Sequence, residues 1–269
     1  MVAFPPCKIN LGLRIISKRP DGYHDLETCF YPVPWTDVLE IVRSDSFSFT
    51  QSGLPIPGQE ADNLCIGAYR MLQQEFQLAP VKIHLHKVLP TGAGLGGGSS
   101  DAAYTLRLLS QVFELGLSTE QLHQYAAQLG SDCSFFIQDT PMLGSGRGQI
   151  LSPCSVILTG LYLVIVKPEI HVSTAEAYQN VTPAKPDQFL TNVLDSPISS
   201  WKNTLINDFE KSVFEKYPRI RKIKDDLYEA GALYASMSGS GASVFGIFNT
   251  PVNLKRTFAG MTYWAGTVS

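Results

Sequence analysis

Residues 90–103 read "PTGAGLGGGSSDAA": five glycines, and after the last of them two serines, an aspartate and two alanines. Glycine inside regular structure costs about 0.5–1 kcal/mol against alanine. Five of them placed just before a helix-forming segment therefore need a physical reason. The preceding "VKIHLHKV" (81–88) alternates as a strand does, and "SSDAAYTLRLLSQVF" (99–113) has the spacing of a helix. Strand, glycine loop and helix in that order make an anion site. The helix start exposes unpaired N–H groups and partial positive charge, and glycines let the main chain close round phosphate oxygens. Pro90, Thr91, Gly92, Ala93, Gly94, Leu95, Gly96, Gly97, Gly98, Ser99 and Ser100 are the candidate nucleotide cradle. Ser99 and Ser100 add hydroxyls that can donate to phosphate or reach a metal ion, and Asp101 suits the first helical turn.

Other readings of the loop are weaker. Gly92 to Gly97 matches G-x-G-x-x-G, but a dinucleotide fold needs a strand soon after the helix, and here a second helix follows. A Walker loop needs lysine where Gly98 stands. A flexible connector without a ligand is the bland alternative, and the clustering of glycines against a helix start speaks against it.

The chain of 269 residues has 44% hydrophobic and 17% charged residues and a net charge of −3, the balance of a globular protein. No basic tract offers a broad nucleic-acid surface, and no apolar run is long enough to span a membrane. Cys7, Cys29, Cys65, Cys133 and Cys154 are scattered, with no C-x-x-C, so reduced thiols and a cytoplasmic setting are expected. The amino-terminal residues lack the pattern of a secretory signal.

Strands are expected at 7–17, 24–33, 37–43, 46–51, 81–88, 161–168 and 261–268, with a turn at 20–23. Asp62 or Asn63 caps a helix reaching about 77, and Ser118 with Gln121 forms a capping box for a helix reaching 129. Further helices are expected at 174–180, 207–215, 219–230 and 251–258, a glycine turn between strands at 232–249, and mostly irregular chain over 181–203. Mixed grouping of strands and helices indicates α+β. A boundary near 155 would give two lobes, 1–155 and 156–269, with a cleft between them.

Two further segments join the glycine loop in a resemblance. "CKINLGLRI" (7–15), the loop itself and "MSGSGASVFGIF" (237–248) resemble, in order, the three motifs of the GHMP kinases. "KRPDGYHDLET" (18–28), "LGSDCSFF" (129–136), "VSTAEAY" (172–178) and "NDFE" (207–210) are similar to the members that act on a cytidine-linked methylerythritol. The "DGYH" turn discriminates best, because it is not a general superfamily feature. The resemblance implies ATP with Mg²⁺ as cofactors and a hydroxyl on a small-molecule substrate carrying cytidine diphosphate as acceptor, in the non-mevalonate isoprenoid route. Monomer and homodimer both stay open. Another GHMP small-molecule kinase (for mevalonate, homoserine or a sugar) and a nucleotide-binding module without catalysis are the rival functions.

The resemblance assigns Asp132 as general base and Lys8 as its cationic partner, which would keep the carboxylate ionised and favour the developing alkoxide. Read as residues alone, Asp132 could cap the next element and Lys8 could face solvent. Asn10 shares a strand face with Lys8 by period two and could orient substrate. Tyr23 and His24 could stack on and read a pyrimidine, with Tyr178 as the opposite wall. Read as residues alone, His24 could be an ordinary turn histidine and Tyr178 a tyrosine packed on the core face of its helix. The family usually has Gly-Ala-Asp-Val/Ile-Pro-Phe-Phe where this chain has Gly130-Ser131-Asp132-Cys133-Ser134-Phe135-Phe136. His84 and His86 form H-x-H without an evident third ligand. Cys133 has no histidine to activate it.

Overall fold

The computed structural model describes residues 1–179 and 181–268. In chain order the elements are β1 (Val2–Ala3), β2 (Pro6–Lys18), β3 (His24–Thr36), β4 (Val38–Arg43), β5 (Ser48–Gly53), α1 (Leu64–Phe76), β6 (Val81–Lys87), α2 (Gly97–Val112), α3 (Thr119–Leu129), β7 (Met142–Ser145), β8 (Ile150–Pro153), β9 (Tyr162–Lys167), α4 (Thr174–Gln179), α5 (Leu190–Leu194), α6 (Phe209–Lys216), α7 (Pro218–Glu229), β10 (Tyr234–Met237), β11 (Val244–Phe248) and β12 (Thr262–Thr267). Short 3₁₀ turns lie at Glu60–Asp62, Phe135–Ile137 and Ile198–Asn203.

The chain divides into two compact units. Unit 1 is Met1–Cys7, Trp35–Thr91 and Gly96–Thr140; unit 2 is Lys8–Pro34, Gly92–Leu95 and the chain from Pro141 onward. These units interleave in sequence, whereas the sequence reading cut the chain once, after 155.

Unit 1 holds the sheet β1-β4-β6-β5, in which β5 and β6 run parallel and the other pairs antiparallel. Helices α1, α2 and α3 pack on one another, and α2 lies against β4. Alternation in β6 buries Val81, Ile83, Leu85 and Lys87 on one face. The Asn63 side chain caps α1 by accepting from the Cys65 amide at 2.9 Å. Ser118 and Gln121 form the expected reciprocal capping box at α3.

Unit 2 holds two sheets, the antiparallel β10-β11-β9-β12 and the sheet β2-β3-β7-β8. Helix α7 packs on β10 and β11, burying Ile220, Ile223 and Leu227 at helical spacing against Val164, Val166 and Val244.

Two local readings change. Residues 251–258 form no helix: the Asn253 side chain takes the Lys255 amide, and turns run to Gly260 at φ +77°. The stretch 181–203 is more ordered than its prolines suggested. Leu190, Val193 and Leu194 bury one side of α5, and Pro197 starts a 3₁₀ turn. The helix over 174–180 is present as α4; Asn180, the last residue of that span, lies outside the described residues. Helix α2 begins two residues before its expected start, at Gly97.

Candidate active site

All three motif segments touch within unit 2. Lys8, on β2, is 3% exposed. Its ammonium donates to the Gly94 carbonyl at 3.1 Å and to Asn10 Oδ1 at 2.5 Å, and its amide donates to the Leu95 carbonyl at 2.9 Å. Ser238 Oγ donates to the same Gly94 carbonyl at 2.9 Å. Main chains come so close here that a Cβ on Gly94 would lie 2.0 Å from the Ser238 carbonyl oxygen, and Gly94 sits at φ +75°. Only glycine meets both conditions. The motif glycine thus serves packing as well as any phosphate.

Asn10 holds Lys8 from beneath. Its carbonyl accepts from Lys8, and its amide donates to Thr28 Oγ1 at 3.0 Å. The Lys8 ammonium also lies 5.3 Å from the Phe30 ring centre, close enough for a cation–π contact. Buried to 2% exposure, Asn10 acts on the lysine in this arrangement.

The "NDFE" segment fixes the third motif, a role that sequence reading did not assign. Asn207 Nδ2 donates to the Met237 and Gly239 carbonyls at 2.8 and 2.9 Å. Glu210 accepts from Ser236 Oγ and the Met237 amide and pairs with Lys224 at 2.6 Å. The sequence signal was available in the form of two polar residues at the start of an otherwise apolar helix face.

Tyr23, His24 and Tyr178 are all in unit 2. Tyr23 is 56% exposed at the tip of the turn, with the Arg147 guanidinium 4.8 Å from its ring centre. His24 stacks directly on Tyr178, centroids 4.7 Å apart and planes 21° apart, and Phe209 meets Tyr178 edge-on at 4.7 Å. A pyrimidine stacking on Tyr178 therefore takes the ring face away from His24 or displaces the imidazole.

Unit 1 contributes the helix start. Gly96 caps α2 at φ +71°, and no side chain caps the first N–H groups. Gly92 and Gly94, which belong to unit 2, also have positive φ. A Cβ on Gly98 would meet nothing within 4 Å, so the helix start is open there.

Beside it lies a cavity of 340 Å³ lined by Phe49, Ile56, Leu64, Lys87, Thr91, Gly98 and Asp101, among others. Its floor is a buried ionic cluster. Lys87 Nζ donates to Asp37 Oδ2 and, at 2.6 Å, to Asp101 Oδ2. The other Asp37 oxygen accepts the Val88 and Leu89 amides at 2.6 and 2.8 Å. Asp101 Oδ1 is buried without a partner. Burial pushes the Asp101 carboxyl up, with the Lys87 charge opposing and the Asp37 charge adding. Alternation in 81–88 puts Lys87 on the apolar face of β6, a signal that the sequence analysis passed over.

Asp132 lies half-buried in the turn after α3. That turn is tied by the Cys133 amide donating to the Gly130 carbonyl at 3.1 Å. Helix α2 packs against α3 and against the 3₁₀ turn Phe135–Ile137, the elements on either side of this turn. The turn that carries the candidate base and the helix that carries the candidate phosphate site both belong to unit 1. Burial pushes the Cys133 thiol up to about 12, which removes it as a nucleophile. His84 and His86 bond to Thr50 and Ser52, and among the described residues no three His, Cys, Asp or Glu side chains gather to hold a metal.

An uncapped glycine start to a helix, open at Gly98, is a feature that phosphate-handling folds share. Residues 63–143 match the GHMP kinases N terminal domain and residues 198–262 match the GHMP kinases C terminal domain. The chain belongs to the GHMP kinases. It is 53% identical over 251 residues to the 4-diphosphocytidyl-2-C-methyl-D-erythritol kinase of Cytophaga hutchinsonii, covering 93% of each chain. It is 48% identical over 271 residues to the enzyme of that name from Parabacteroides distasonis, covering 100% of each. A crystal structure of 4-(cytidine 5'-diphospho)-2C-methyl-D-erythritol kinase superposes with a TM-score of 0.84 at 30% identity, covering 99% of this chain and 98% of that one. A homoserine kinase from Cytophaga hutchinsonii, at 18% identity and TM-score 0.70 over 100% of this chain and 94% of that one, shares the fold.

Proposed function

We infer that the chain transfers the terminal phosphoryl group of ATP to a hydroxyl of 4-diphosphocytidyl-2-C-methyl-D-erythritol, giving the 2-phosphate. Full-length identity near 50% to kinases of that name carries this reading. Phosphoryl transfer asks the protein for positioning and charge stabilisation more than for covalent chemistry. The residues support both.

The amides of the glycine loop and the uncapped start of α2 receive the phosphates, and the adjoining cavity, with apolar walls at Phe49, Ile56 and Leu64, receives the nucleoside. Mg²⁺ bound with the nucleotide would neutralise phosphate charge, and phosphate oxygens and water would hold it without a cage of acidic side chains. Ser99 is the hydroxyl on the first helical turn that suits it. Asp132 takes the proton from the acceptor hydroxyl, and Lys8 favours the alkoxide that develops. Asn10 orients Lys8. Tyr23, His24 and Tyr178 recognise the cytosine.

The test is product formation. ATP, Mg²⁺ and the cytidine substrate should give ADP and a phosphorylated product, while mevalonate, homoserine and sugars should give none. Asp132→Asn and Lys8→Met should each lower kcat by about 10²–10⁴-fold, and the double variant by little more than the worse single one. Losses that multiply would show that the two residues act independently.

A further inference from the structure

Tyr104 and Arg107 stand about one turn apart on α2 and meet the chain that follows α3. Arg107 donates to Asp139 Oδ2 at 2.5 Å and to the Phe136 carbonyl at 3.3 Å. The Tyr104 hydroxyl donates to the same Asp139 oxygen at 2.6 Å. The Arg107 guanidinium carbon lies 4.2 Å from the Tyr104 ring centre, so the cation rests on the ring while it holds the carboxylate. Burial, and then the hydrogen bond to Asp139, push the Tyr104 hydroxyl up, so it keeps the proton it donates. All three residues belong to unit 1.

Asp139 carries two local costs. Its backbone is left-handed, at φ +52°, and its second carboxylate oxygen is buried without a partner. A residue other than glycine keeps such a conformation where neighbouring contacts over-determine it, and these places cluster at functional sites. Here the contacts lead to Asp132. The Cys133 amide donates to the Gly130 carbonyl at 3.1 Å, the Phe136 amide to the Cys133 carbonyl at 3.2 Å and the Ile137 amide to the Ser134 carbonyl at 3.3 Å. Successive tight turns thus run from the one that contains Asp132 to the carbonyl and carboxylate that Arg107 holds. Phe135, Phe136 and Ile137 bury their side chains along the way.

We propose that Tyr104, Arg107 and Asp139 are positioning residues, which fix the segment bearing Asp132 to the helix whose start receives the phosphates. Helix α2 presents Gly98 and Ser99 in its first turn and Arg107 between two and three turns further on. One rigid helix therefore carries the phosphate site at its end and the hold on the base-bearing chain near its middle. Proton removal needs the base held against the acceptor, and a misplacement of about 1 Å costs about 10²-fold in rate. The catalytic consequence rests on the function and the base proposed above; the clamp itself does not.

Three variants separate the clamp from the fold. Glycine adopts φ +52° without strain, so Asp139→Gly removes the carboxylate while easing the backbone. Arg107→Met keeps an unbranched side chain over Tyr104 and removes the charge and the donors. Arg107→Lys returns the charge as a single ammonium, without the planar fork that reaches a carboxylate and a carbonyl together.

The experiment follows amide hydrogen exchange of the full chain, and steady-state kinetics with ATP, Mg²⁺ and the cytidine substrate. In Asp139→Gly and Arg107→Met, exchange at the Cys133, Phe136 and Ile137 amides should quicken by about 10-fold or more, while exchange in α1 stays as in the wild type. In the same variants kcat should fall about 10- to 100-fold with both KM values kept within about twofold. The double variant should lose little more than the worse single one, and Arg107→Lys should recover part of kcat. A loss shared among kcat, both KM values and the folded fraction would mark a structural role and overturn the proposal. Unchanged exchange would overturn the clamp, and faster exchange with kcat intact would overturn its positioning role. A wild type that forms no product would sink the proposed function and the positioning role with it, whereas the exchange result would still report on the clamp.

Discussion

The Lys8 ammonium donates to the Gly94 carbonyl oxygen at 3.1 Å, joining the first motif to the second across 86 residues of chain. Ser238 donates to the same oxygen from the third motif. One main-chain carbonyl therefore gathers three segments that the sequence shows only as separate stretches. A lysine held this way keeps its charge at a set place with little side-chain freedom left to lose, which suits a group that must meet a charge developing in a transition state.

Gly94 and Gly98 should respond in opposite ways to alanine. At Gly94 the new Cβ strikes the Ser238 carbonyl and the φ of +75° is strained, so stability should fall by at least about 1–3 kcal/mol. At Gly98 the new Cβ meets open space, and helix propensity favours alanine by up to about 1 kcal/mol. Gly98→Ala should thus keep or raise Tm while raising KM for ATP, because the methyl group sits where phosphate must approach. Thermal melts and steady-state kinetics check this; an unchanged KM for ATP would remove the phosphate role from the start of α2.

The Asp37–Lys87–Asp101 cluster gives a pH signature to the stability of unit 1. Burial raises the Asp101 carboxyl in the folded state above its unfolded value, so the folded protein binds more protons than the unfolded one between the two. Stability contributed by the protonated form is complete below the unfolded value of 3.8 and is lost as pH rises toward about 7. Asp101→Asn cannot titrate. The Tm difference, wild type minus variant, should therefore fall as pH rises from about 4 to 7. A difference that rises with pH would reverse the assigned direction. Lys87→Met leaves two carboxylates without their cation and should cost about 3–5 kcal/mol.

Tyr178→Ala should weaken the cytidine substrate and spare ATP. Stacking of a base on an aromatic ring contributes about 1–3 kcal/mol, so KM for the cytidine substrate should rise roughly 5- to 150-fold. Tyr178 also packs on His24 and Phe209, and Tyr178→Phe keeps those ring contacts as a control for misfolding. Equal losses toward ATP and the cytidine substrate would remove Tyr178 from base recognition.

Local patterns were legible where the physics is local. Alternation marked β6, Asn63 marked the start of α1, and Ser118 with Gln121 marked α3, because each signal acts within a few residues. The expected helix at 251–258 failed for a reason equally local, the Asn253 side chain competing for the Lys255 amide. Lys87 was missed because a charged residue at the end of an alternating strand reads as solvent-facing until Asp37 and Asp101 are seen to balance it.

From sequence alone came the glycine loop, the order of the three motifs and the residue types that a phosphoryl transfer needs, since motif spacing and local propensity survive without coordinates. Only the tertiary structure decided that Gly94 must be glycine because another main chain touches it, that Asn10 supports Lys8, and that Asn207 ties the third motif. Those contacts join residues many positions apart, and no local rule of chain geometry specifies which distant groups a fold will bring within hydrogen-bonding distance.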